Sequence, residues 1–228
     1  NSPVAALSML RQAQAQGGKA LATLLDDPAA SLTEPAVARA LSRLLPAGHH
    51  LLVAASLPVR ELDSYGATDG PLLQTWSNRG ASGIDGTIAT AAGLAHGSGQ
   101  GVAILIGDLA LLHDLNSLAM LLDLPVLVVV LNNDGGGIFE FLPVAREEDA
   151  FERCFAVSHG LRFADAAKLF GLHYASPATL TELQYACQQA LAHPGPTLLE
   201  IRTERQANHR FQRELQAAFL AAATGAEA

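Results

Sequence analysis

Two uninterrupted apolar runs constrain the fold of this chain more than any other feature. The segments GVAILIGD (101–108) and PVLVVVLNN (125–133) are apolar at almost every position, and the second is rich in valine. Strands of this kind are buried on both faces, which happens when helices cover both sides of a parallel sheet. The longest apolar run, LPVLVVVL (124–131), is too short to cross a bilayer. We therefore predict strands of a buried parallel sheet and no membrane span.

Helix-like and strand-like segments alternate along most of the chain. In the segment 32–48, Thr33 is a candidate N-cap, Pro35 falls in the first turn, and Pro46-Ala47-Gly48 stops the helix. Such alternation is typical of a doubly wound α/β fold, whose crossover helices lie on both faces of the sheet. We predict a mostly parallel sheet of six strands at 50–56, 72–77, 101–108, 125–133, 172–175 and 196–202, a polar loop after 137, and helices around 58–65 and at 83–99, 115–124, 163–171, 179–193 and 207–223.

Composition excludes several classes of function. Half of the residues are apolar and only 16% are charged, which indicates a globular protein. The net charge of −8, without any Lys/Arg run, argues against nucleic-acid binding. Cys154 and Cys187 form no CxxC motif and no signal peptide opens the chain, so we expect reduced thiols in a cytoplasmic protein. The segment 3–27 predicts a helix and a half that belong to a preceding part of the protein. We therefore expect that this chain is a piece of a longer protein.

Polar residues stand at the ends of the two apolar runs. Asp108 closes the first run and Asn133 closes the second, and the C-terminal ends of neighbouring parallel strands lie at one edge of a sheet, where ligands bind. A carboxylate, an amide oxygen and a backbone carbonyl from the Gly135–Gly137 loop would suit Mg²⁺. The alternative is structural: Asp108 would be an N-cap, and Asn132-Asn133-Asp134 a turn cluster.

These residues carry a resemblance to a known family. Gly107-Asp108, followed about twenty-five residues later by Asn132-Asn133 and Gly135, resembles the metal-diphosphate motif of thiamin-diphosphate-dependent enzymes, with Leu109 where a glycine is usual. Within that group, SLPVR (56–60), SNRGASGIDG (77–86), GDLALLHDLN (107–116) and NNDGGGIFEFLP (132–143) are similar to the 2-succinyl-5-enolpyruvyl-6-hydroxy-3-cyclohexene-1-carboxylate (SEPHCHC) synthases. The resemblance implies that 31–228 form the diphosphate-binding domain and that 1–30 end a middle domain or linker.

The resemblance also implies a role for particular residues. It implies thiamin diphosphate and Mg²⁺ (or Mn²⁺) as cofactors, with Asp108, Asn133 and the Gly135 carbonyl as metal ligands. The implied cofactor-binding residues are these three together with Ile84, Gly107, Leu109, Gly136 and Ile138, and Ile84 would support the bent shape of thiamin. The implied substrate-binding residues are Ser56, Arg60, Arg79, Phe139 and Leu142. On residue type alone, both arginines also fit a solvated surface, Ile84 fits a core, and Ser56 fits an N-cap.

The implied activity belongs to the whole protein. The family decarboxylates 2-oxoglutarate and adds the succinyl unit to isochorismate in menaquinone biosynthesis. Its activating glutamate lies on the pyrimidine-binding domain of a partner subunit, so we expect no catalytic residue in this chain, no activity of the chain alone, and a homodimer or tetramer when whole. The alternatives are another thiamin-dependent 2-oxoacid decarboxylase or carboligase, similar to acetolactate synthase, and a non-catalytic α/β ligand-binding module. Arg60 and Arg79 favour the first, because a pyruvate user needs fewer guanidinium groups.

Overall fold

The computed structural model describes residues 3–225, and six strands and nine α-helices are found there. The strands are β1 (His50–Val53), β2 (Gln74–Trp76), β3 (Val102–Gly107), β4 (Val126–Asn132), β5 (His173–Ala175) and β6 (Thr197–Arg202). The helices are α1 (Pro3–Leu25), α2 (Glu34–Leu44), α3 (Leu57–Tyr65), α4 (Thr87–Ser98), α5 (Asp108–His113), α6 (Glu148–Phe151), α7 (Ala164–Leu169), α8 (Leu180–Ala192) and α9 (Arg205–Thr224). Residues 1, 2 and 226–228, which the predicted segments 1–30 and 31–228 include, lie outside the described residues.

The strands form one parallel sheet, which confirms the predicted fold class. The strand order is β2-β1-β3-β4-β6-β5, and every pairing is parallel. The chain runs outward from β1 to β2, then returns to β3 on the other side of β1 and continues to β4. The connections therefore change direction between β1 and β3, and open sheets of this kind bind ligands beyond the carboxyl ends of the strands at that point.

Alternate residues of the central strands face two separate helical layers. Even-numbered residues of β3 and β4, such as Ile104 and Val128, join a cluster with α4, α5 and the segment 115–121. Odd-numbered residues, such as Leu105 and Val129, join a second cluster with α2, α3 and α8. All of these strand residues are buried, which is why residues 102–106 and 126–131 are apolar at every position instead of at every second one.

The first segment is a single helix, where a helix and a half was predicted. α1 continues through Gly17-Gly18 and ends at Leu25. Its buried residues Leu21 and Leu25 pack in an apolar cluster with Leu215 of α9, and Phe219 is packed against the same cluster. A Cβ at Gly17 would lie 2.4 Å from the Phe219 ring, so the missing side chain lets the two helices approach closely. Packing against α9 thus offsets the low helix propensity of the glycine pair.

Two segments near the sheet edge differ from the sequence prediction. The predicted helix 115–124 is a 3₁₀ helix, Leu115–Leu121, and a short helix, α5, precedes it. Asp114 lies between them, and its carboxylate accepts hydrogen bonds from the Ile88 and Ala89 amides and the Ser117 hydroxyl. Side-chain hydrogen bonds of this kind compete with the backbone hydrogen bonds of a regular α-helix. The predicted polar loop is instead a series of short helical turns: 3₁₀ turns at Gly137–Phe141 and Pro143–Arg146, then α6, then a π turn at Glu152–Ala156.

The other elements agree with the prediction in type, and most have shorter bounds, whereas α3 and α9 extend one to two residues beyond the predicted segments. The Thr33 side chain accepts a hydrogen bond from the Ala36 amide (3.4 Å), which confirms the N-cap of α2. The helix predicted at 83–99 begins only at Thr87. None of the helices within 3–225 is both long enough and apolar enough to span a membrane.

Candidate active site

The ends of β3 and β4 bring Asp108 and Asn133 to one edge of the sheet. The two strands are direct parallel neighbours, with Gly107 opposite Leu131, and the two polar residues follow within two positions of this pair. The Gly135 amide donates to Asp108 Oδ2 (2.8 Å), which ties the loop after β4 to the end of β3. The prediction that the two strand ends converge is confirmed by this geometry.

A cavity of about 410 Å³ opens at this edge, between the ends of β1, β3 and β4. It collects every residue that the sequence proposed for the site except Leu142, which is exposed and does not line it. The predicted residues in its lining are Ser56, Arg60, Arg79, Ile84, Gly107, Asp108, Leu109, Asn133, Gly135, Gly136, Ile138 and Phe139. Two cavities of greater volume, about 510 and 650 Å³, are lined by α1, α2 and α9 and by α2 and α8 respectively, away from these strand ends.

Asp108 is a buried carboxylate held by three donors. Oδ1 accepts from the Leu109 amide (2.6 Å), and Oδ2 accepts from the Gly135 amide (2.8 Å) and from His159 Nε2 (3.1 Å). His159 Nδ1 accepts from the Leu161 amide, so the ring carries its hydrogen on Nε2. Burial raises the pKa of the Asp108 carboxyl, and these hydrogen bonds act in the opposite direction. A cation beside Asp108 would stabilise the ionised form further.

Asn133 presents an amide oxygen that accepts no hydrogen bond from any residue within 3–225. Its side chain is buried, and Nδ2 donates to Glu34 Oε1 (2.9 Å), whereas Oδ1 is buried without a partner. An unsatisfied buried oxygen costs about 1–3 kcal/mol, so its presence requires an explanation. A hard cation is a suitable partner, because Mg²⁺ binds carboxylate, amide and carbonyl oxygens. The donor set at this edge fits such an ion.

The glycine run after Asn133 allows the chain to pass very close to a second backbone segment. Gly135 has φ of +132°, and a Cβ there would lie 2.1 Å from the Ala156 carbonyl oxygen. The Gly136 amide donates to the same oxygen at 2.7 Å. The Gly135 carbonyl accepts from the Gly137 amide (3.0 Å), which leaves its second lone pair for another partner.

The neighbours of Asn133 have structural roles, as the alternative interpretation proposed for the whole cluster. Asn132 Nδ2 donates to the buried Glu200 (2.7 Å), and Asn132 Oδ1 accepts from the Asp134 amide. Asp134 Oδ1 accepts from the amides of His159 and Gly160 (3.0 and 2.7 Å). These bonds fix the loops on both sides of the site and leave Asn133 as the member that faces the cavity.

Two arginines give the cavity positive charge. Arg60 and Arg79 are both exposed, and neither forms a salt bridge within the described part of the chain. Arg60 Nη1 donates to the Ser56 carbonyl (2.6 Å), and Arg79 Nη1 donates to the Ser82 hydroxyl (3.2 Å). Each guanidinium keeps further donors, so both can bind an anionic ligand.

Ser56 and Ile84 occupy unusual positions for residues of their types. Ser56 lies at the N-cap position of α3, but its side chain makes no capping hydrogen bond and its backbone has φ of 78° and ψ of −134°. Such backbone strain in a non-glycine residue is typical of functional sites. Ile84 is 39% exposed, so it is not a core residue in this structure. Both side chains border the cavity.

Two residues of the site were missed in the sequence. His159 contacts Asp108, and Glu34 contacts Asn133, yet each lies far along the chain from its partner, 51 and 99 residues away. Glu34 follows the Thr33 N-cap, and an acid in the first turn of a helix is ordinary. Local sequence therefore gave no signal for either contact.

Comparison with known proteins assigns the family. The family model described as "Thiamine pyrophosphate enzyme, C-terminal TPP binding domain" matches residues 61–201, more than half of the chain. The chain belongs to this family. Thiamine pyrophosphate (TPP) is another name for thiamin diphosphate, and the match includes the ends of β3 and β4 and most of the cavity lining.

Three relatives of this TPP-binding domain carry the same name. The chain is 54% identical to a SEPHCHC synthase of Rubrobacter xylanophilus over 92% of this chain and 36% of the relative. It is 48% identical to the synthase of Salinibacter ruber, over 82% of this chain and 32% of the relative, and 46% identical to that of Chlorobium phaeovibrioides, over 87% and 34%. The chain thus spans about a third of the length of these curated relatives.

Solved structures of lower identity share the fold of the TPP-binding domain. One is a putative thiamin diphosphate-dependent enzyme from Mycobacterium smegmatis, with a TM-score of 0.62 and 23% identity over 77% of this chain and 32% of that one. Another is benzoylformate decarboxylase from Polynucleobacter necessarius, with a TM-score of 0.64 and 22% identity over 78% and 34%. At this level of identity the likeness shows the fold and nothing about the substrate.

Proposed function

We propose that this chain is the diphosphate-binding part of a SEPHCHC synthase, which decarboxylates 2-oxoglutarate and adds the succinyl unit to isochorismate. The observation that carries the proposal is the cavity at the strand ends. There Asn133 Oδ1 has no hydrogen-bond partner, and the guanidinium groups of Arg60 and Arg79 form no salt bridge, among the residues that the structure describes. The names of relatives at 46–54% identity support the same substrates.

The residues at the ends of β3 and β4 would hold the metal and the diphosphate. Asp108, Asn133 and the Gly135 carbonyl would bind Mg²⁺ or Mn²⁺, and the ion would leave coordination positions for diphosphate oxygens. The proposed surroundings of the cofactor are Ile84, Gly107, Leu109, Gly136 and Ile138, all of which line the cavity. When bound, thiamin diphosphate supplies the electron sink that decarboxylation of a 2-oxoacid requires.

The arginines would select and orient the anionic substrates. Both 2-oxoglutarate and isochorismate carry two carboxylates, and the planar guanidinium of Arg60 or Arg79 matches a carboxylate with two parallel donors. Ser56 would add a hydroxyl at the same side of the cavity, and Phe139 an apolar wall. Leu142 stays a proposed apolar contact, although it lies outside the cavity in this chain.

The remaining parts of the site would come from outside this chain. We assign the activating glutamate to a pyrimidine-binding domain of a partner subunit in a homodimer or tetramer, and residues 1–30 to the end of a middle domain or linker. No residue of this chain is then catalytic, and the 228-residue chain alone is expected to be inactive. We also propose that the whole protein is cytoplasmic.

The whole synthase tests this proposal directly. The expected result is release of CO₂ from 2-oxoglutarate that depends on isochorismate, on thiamin diphosphate and on a divalent metal. Arg79→Ala is expected to lower kcat/KM by about 10- to 150-fold, because one charge-assisted hydrogen-bonded contact contributes about 1.5–3 kcal/mol. The matched control is Arg146→Ala, since Arg146 is exposed and does not line the cavity.

Two outcomes would refute the assignment in different ways. Consumption of pyruvate in place of 2-oxoglutarate would indicate another thiamin-dependent carboligase. Binding of thiamin diphosphate without turnover of any 2-oxoacid would indicate a non-catalytic ligand-binding module. If the Arg79 and Arg146 substitutions have equal effects on kcat/KM, Arg79 does not bind the substrate, and the proposed reaction is unaffected by this result.

A further inference from the structure

We propose that Glu34 is a positioning residue, whose buried side chain fixes the Asn133 amide so that Oδ1 faces the cavity and not the protein interior. The inference rests on the proposed metal site at the ends of β3 and β4. It concerns Glu34, which begins α2, and it assigns this helix a part in metal binding.

The hydrogen bond between the two side chains decides the orientation of the amide. Glu34 Oε1 accepts from Asn133 Nδ2 at 2.9 Å, and it also accepts from the Thr203 hydroxyl at 2.8 Å. If the amide were rotated by half a turn, Asn133 Oδ1 would face an oxygen that already accepts from Thr203, and two acceptors would repel each other. Nδ2 would then take the position from which Oδ1 can bind a cation. Only the observed orientation therefore presents an oxygen to the proposed metal.

Glu34 is itself held in place from outside the cavity. The side chain is 1% exposed, and its Oε1 accepts from the Thr203 hydroxyl (2.8 Å), which follows β6. Glu61 of α3 lies near enough for the two charges to interact, and Glu61 Oε1 accepts from Asn208 Nδ2 (3.2 Å) and Gln212 Nε2 (2.8 Å) of α9. Thr203 does not line the cavity, so the position of Glu34 Oε1 depends on a partner away from the proposed metal.

The neighbouring Glu61 carboxyl is also buried. Burial and then the charge of Glu34 raise the pKa of the Glu61 carboxyl well above its usual range.

A cation at Asp108 would also satisfy Asn133 Oδ1, which is buried without a hydrogen-bond partner in the described part of the chain. Residues that orient metal ligands in this way contribute about 10- to 100-fold to metal affinity in other proteins.

The test measures the affinity of the whole synthase for Mn²⁺ in the presence of thiamin diphosphate, by electron paramagnetic resonance. Glu34→Gln keeps the shape of the side chain but replaces one carboxylate oxygen by an NH₂ group. The new side-chain amide can then form a hydrogen bond with either orientation of the Asn133 amide. It is expected to weaken Mn²⁺ binding by about 10- to 100-fold. The matched control is Glu214→Gln, since Glu214 is exposed on α9 and does not line the cavity, and its Mn²⁺ affinity should stay within about twofold of the parent.

A double-mutant cycle separates positioning from a general structural effect. Asn133→Ala removes the proposed ligand, and adding Glu34→Gln to it should change Mn²⁺ affinity by no more than about twofold, because the two residues act through one contact. A further loss of tenfold in the double variant would overturn the inference. So would an unchanged affinity of Glu34→Gln beside a weakened Asn133→Ala.

The cycle also distinguishes this inference from the proposed function. If Asn133→Ala binds Mn²⁺ as tightly as the parent, the metal site itself is wrong and the inference falls with it. If circular dichroism shows that Glu34→Gln is unfolded, Glu34→Asp takes its place, since it keeps the charge and withdraws the oxygen from Asn133 by one methylene. A parent-like Mn²⁺ affinity of folded Glu34→Asp would likewise refute the positioning role.

Discussion

The close approach of Gly135 to a second backbone segment makes Gly135→Ala the most informative substitution for the stability of the site. A Cβ at this position would lie 2.1 Å from the Ala156 carbonyl oxygen. The backbone fixes the positions of both atoms, so no rotamer change can relieve the clash. The residue also has φ of +132°, which L residues rarely adopt. The loop after β4 and the turn that ends at Ala156 must therefore separate when alanine is introduced.

The expected cost follows from these contacts. Strained backbone in a non-glycine residue costs about 1–3 kcal/mol, and separation of the segments also breaks the bond from the Gly136 amide to Ala156, worth about 0.5–1.5 kcal/mol. The lower entropy of the unfolded alanine chain returns about 0.4–1 kcal/mol. The net loss of unfolding free energy is about 0.5–4 kcal/mol, and it should be accompanied by loss of Mn²⁺ binding in the whole synthase.

Urea unfolding of the 228-residue chain measures this loss, and Gly48→Ala is the matched control. Gly48 has φ of +83°, but a Cβ there meets no atom within 4 Å. Its substitution adds dihedral strain without a clash, about 1–2 kcal/mol before the entropy of the unfolded state is counted. If Gly135→Ala is no more destabilising than Gly48→Ala, the steric argument is wrong and the glycine serves the backbone angle alone.

Further predictions concern single contacts in the same domain. Thr33→Ala removes the N-cap bond of α2 and should lower the unfolding free energy by about 1 kcal/mol; Thr33→Ser, which keeps a hydroxyl, should lose less. Leu111→Ala creates a cavity beneath the sheet at a fully buried position and should cost about 2–5 kcal/mol in urea unfolding, and a loss below about 1 kcal/mol would contradict the packing described for α5. The raised pKa of Glu61 means that the folded state retains a proton that the unfolded state releases, so stability falls as the pH rises from the unfolded pKa through the folded one. Glu61→Gln removes this contribution, and its unfolding midpoint should fall less steeply than that of the parent as the pH rises above the usual pKa of a glutamate; equal slopes would show that Glu61 is ionised in the folded chain.

The sequence contained the sheet and its functional edge. The runs 101–108 and 125–133 are apolar at every strand position because both faces of β3 and β4 are covered, and the structure shows this burial. A local pattern can encode this, since side chains alternate between faces and helices must cover both. The convergence of Asp108 and Asn133 follows from parallel pairing alone, so it too could be predicted.

Other features near the site depended on segments distant in sequence. The motif placed Leu142 in the site, but the 3₁₀ turn Gly137–Phe141 directs the chain away from the cavity before that residue. The segment 115–124 has a helical apolar pattern, yet Asp114 bonds the start of α4 and the chain there forms a 3₁₀ helix. For the segment 115–124 the local pattern was read correctly, and the contact of Asp114 with α4 changed the type of helix, whereas Leu142 stays a proposed site residue that does not line the cavity.

The sequence by itself determined which residues have oxygens suited to a metal, and the tertiary structure decided which of these oxygens are used in hydrogen bonds within the described part of the chain. In the sequence, Asn132, Asn133 and Asp134 are three consecutive polar residues, and each has a side-chain oxygen that could bind a metal. The side chain of Asn132 donates a hydrogen bond to Glu200, 68 residues away, and the carboxylate of Asp134 accepts from the amides of His159 and Gly160. The nitrogen of the Asn133 side chain donates to Glu34, 99 residues away, whereas its oxygen accepts no hydrogen bond within 3–225. Strand burial is a property of consecutive residues, whereas the partner of a polar side chain depends on which distant segment the folded chain brings beside it.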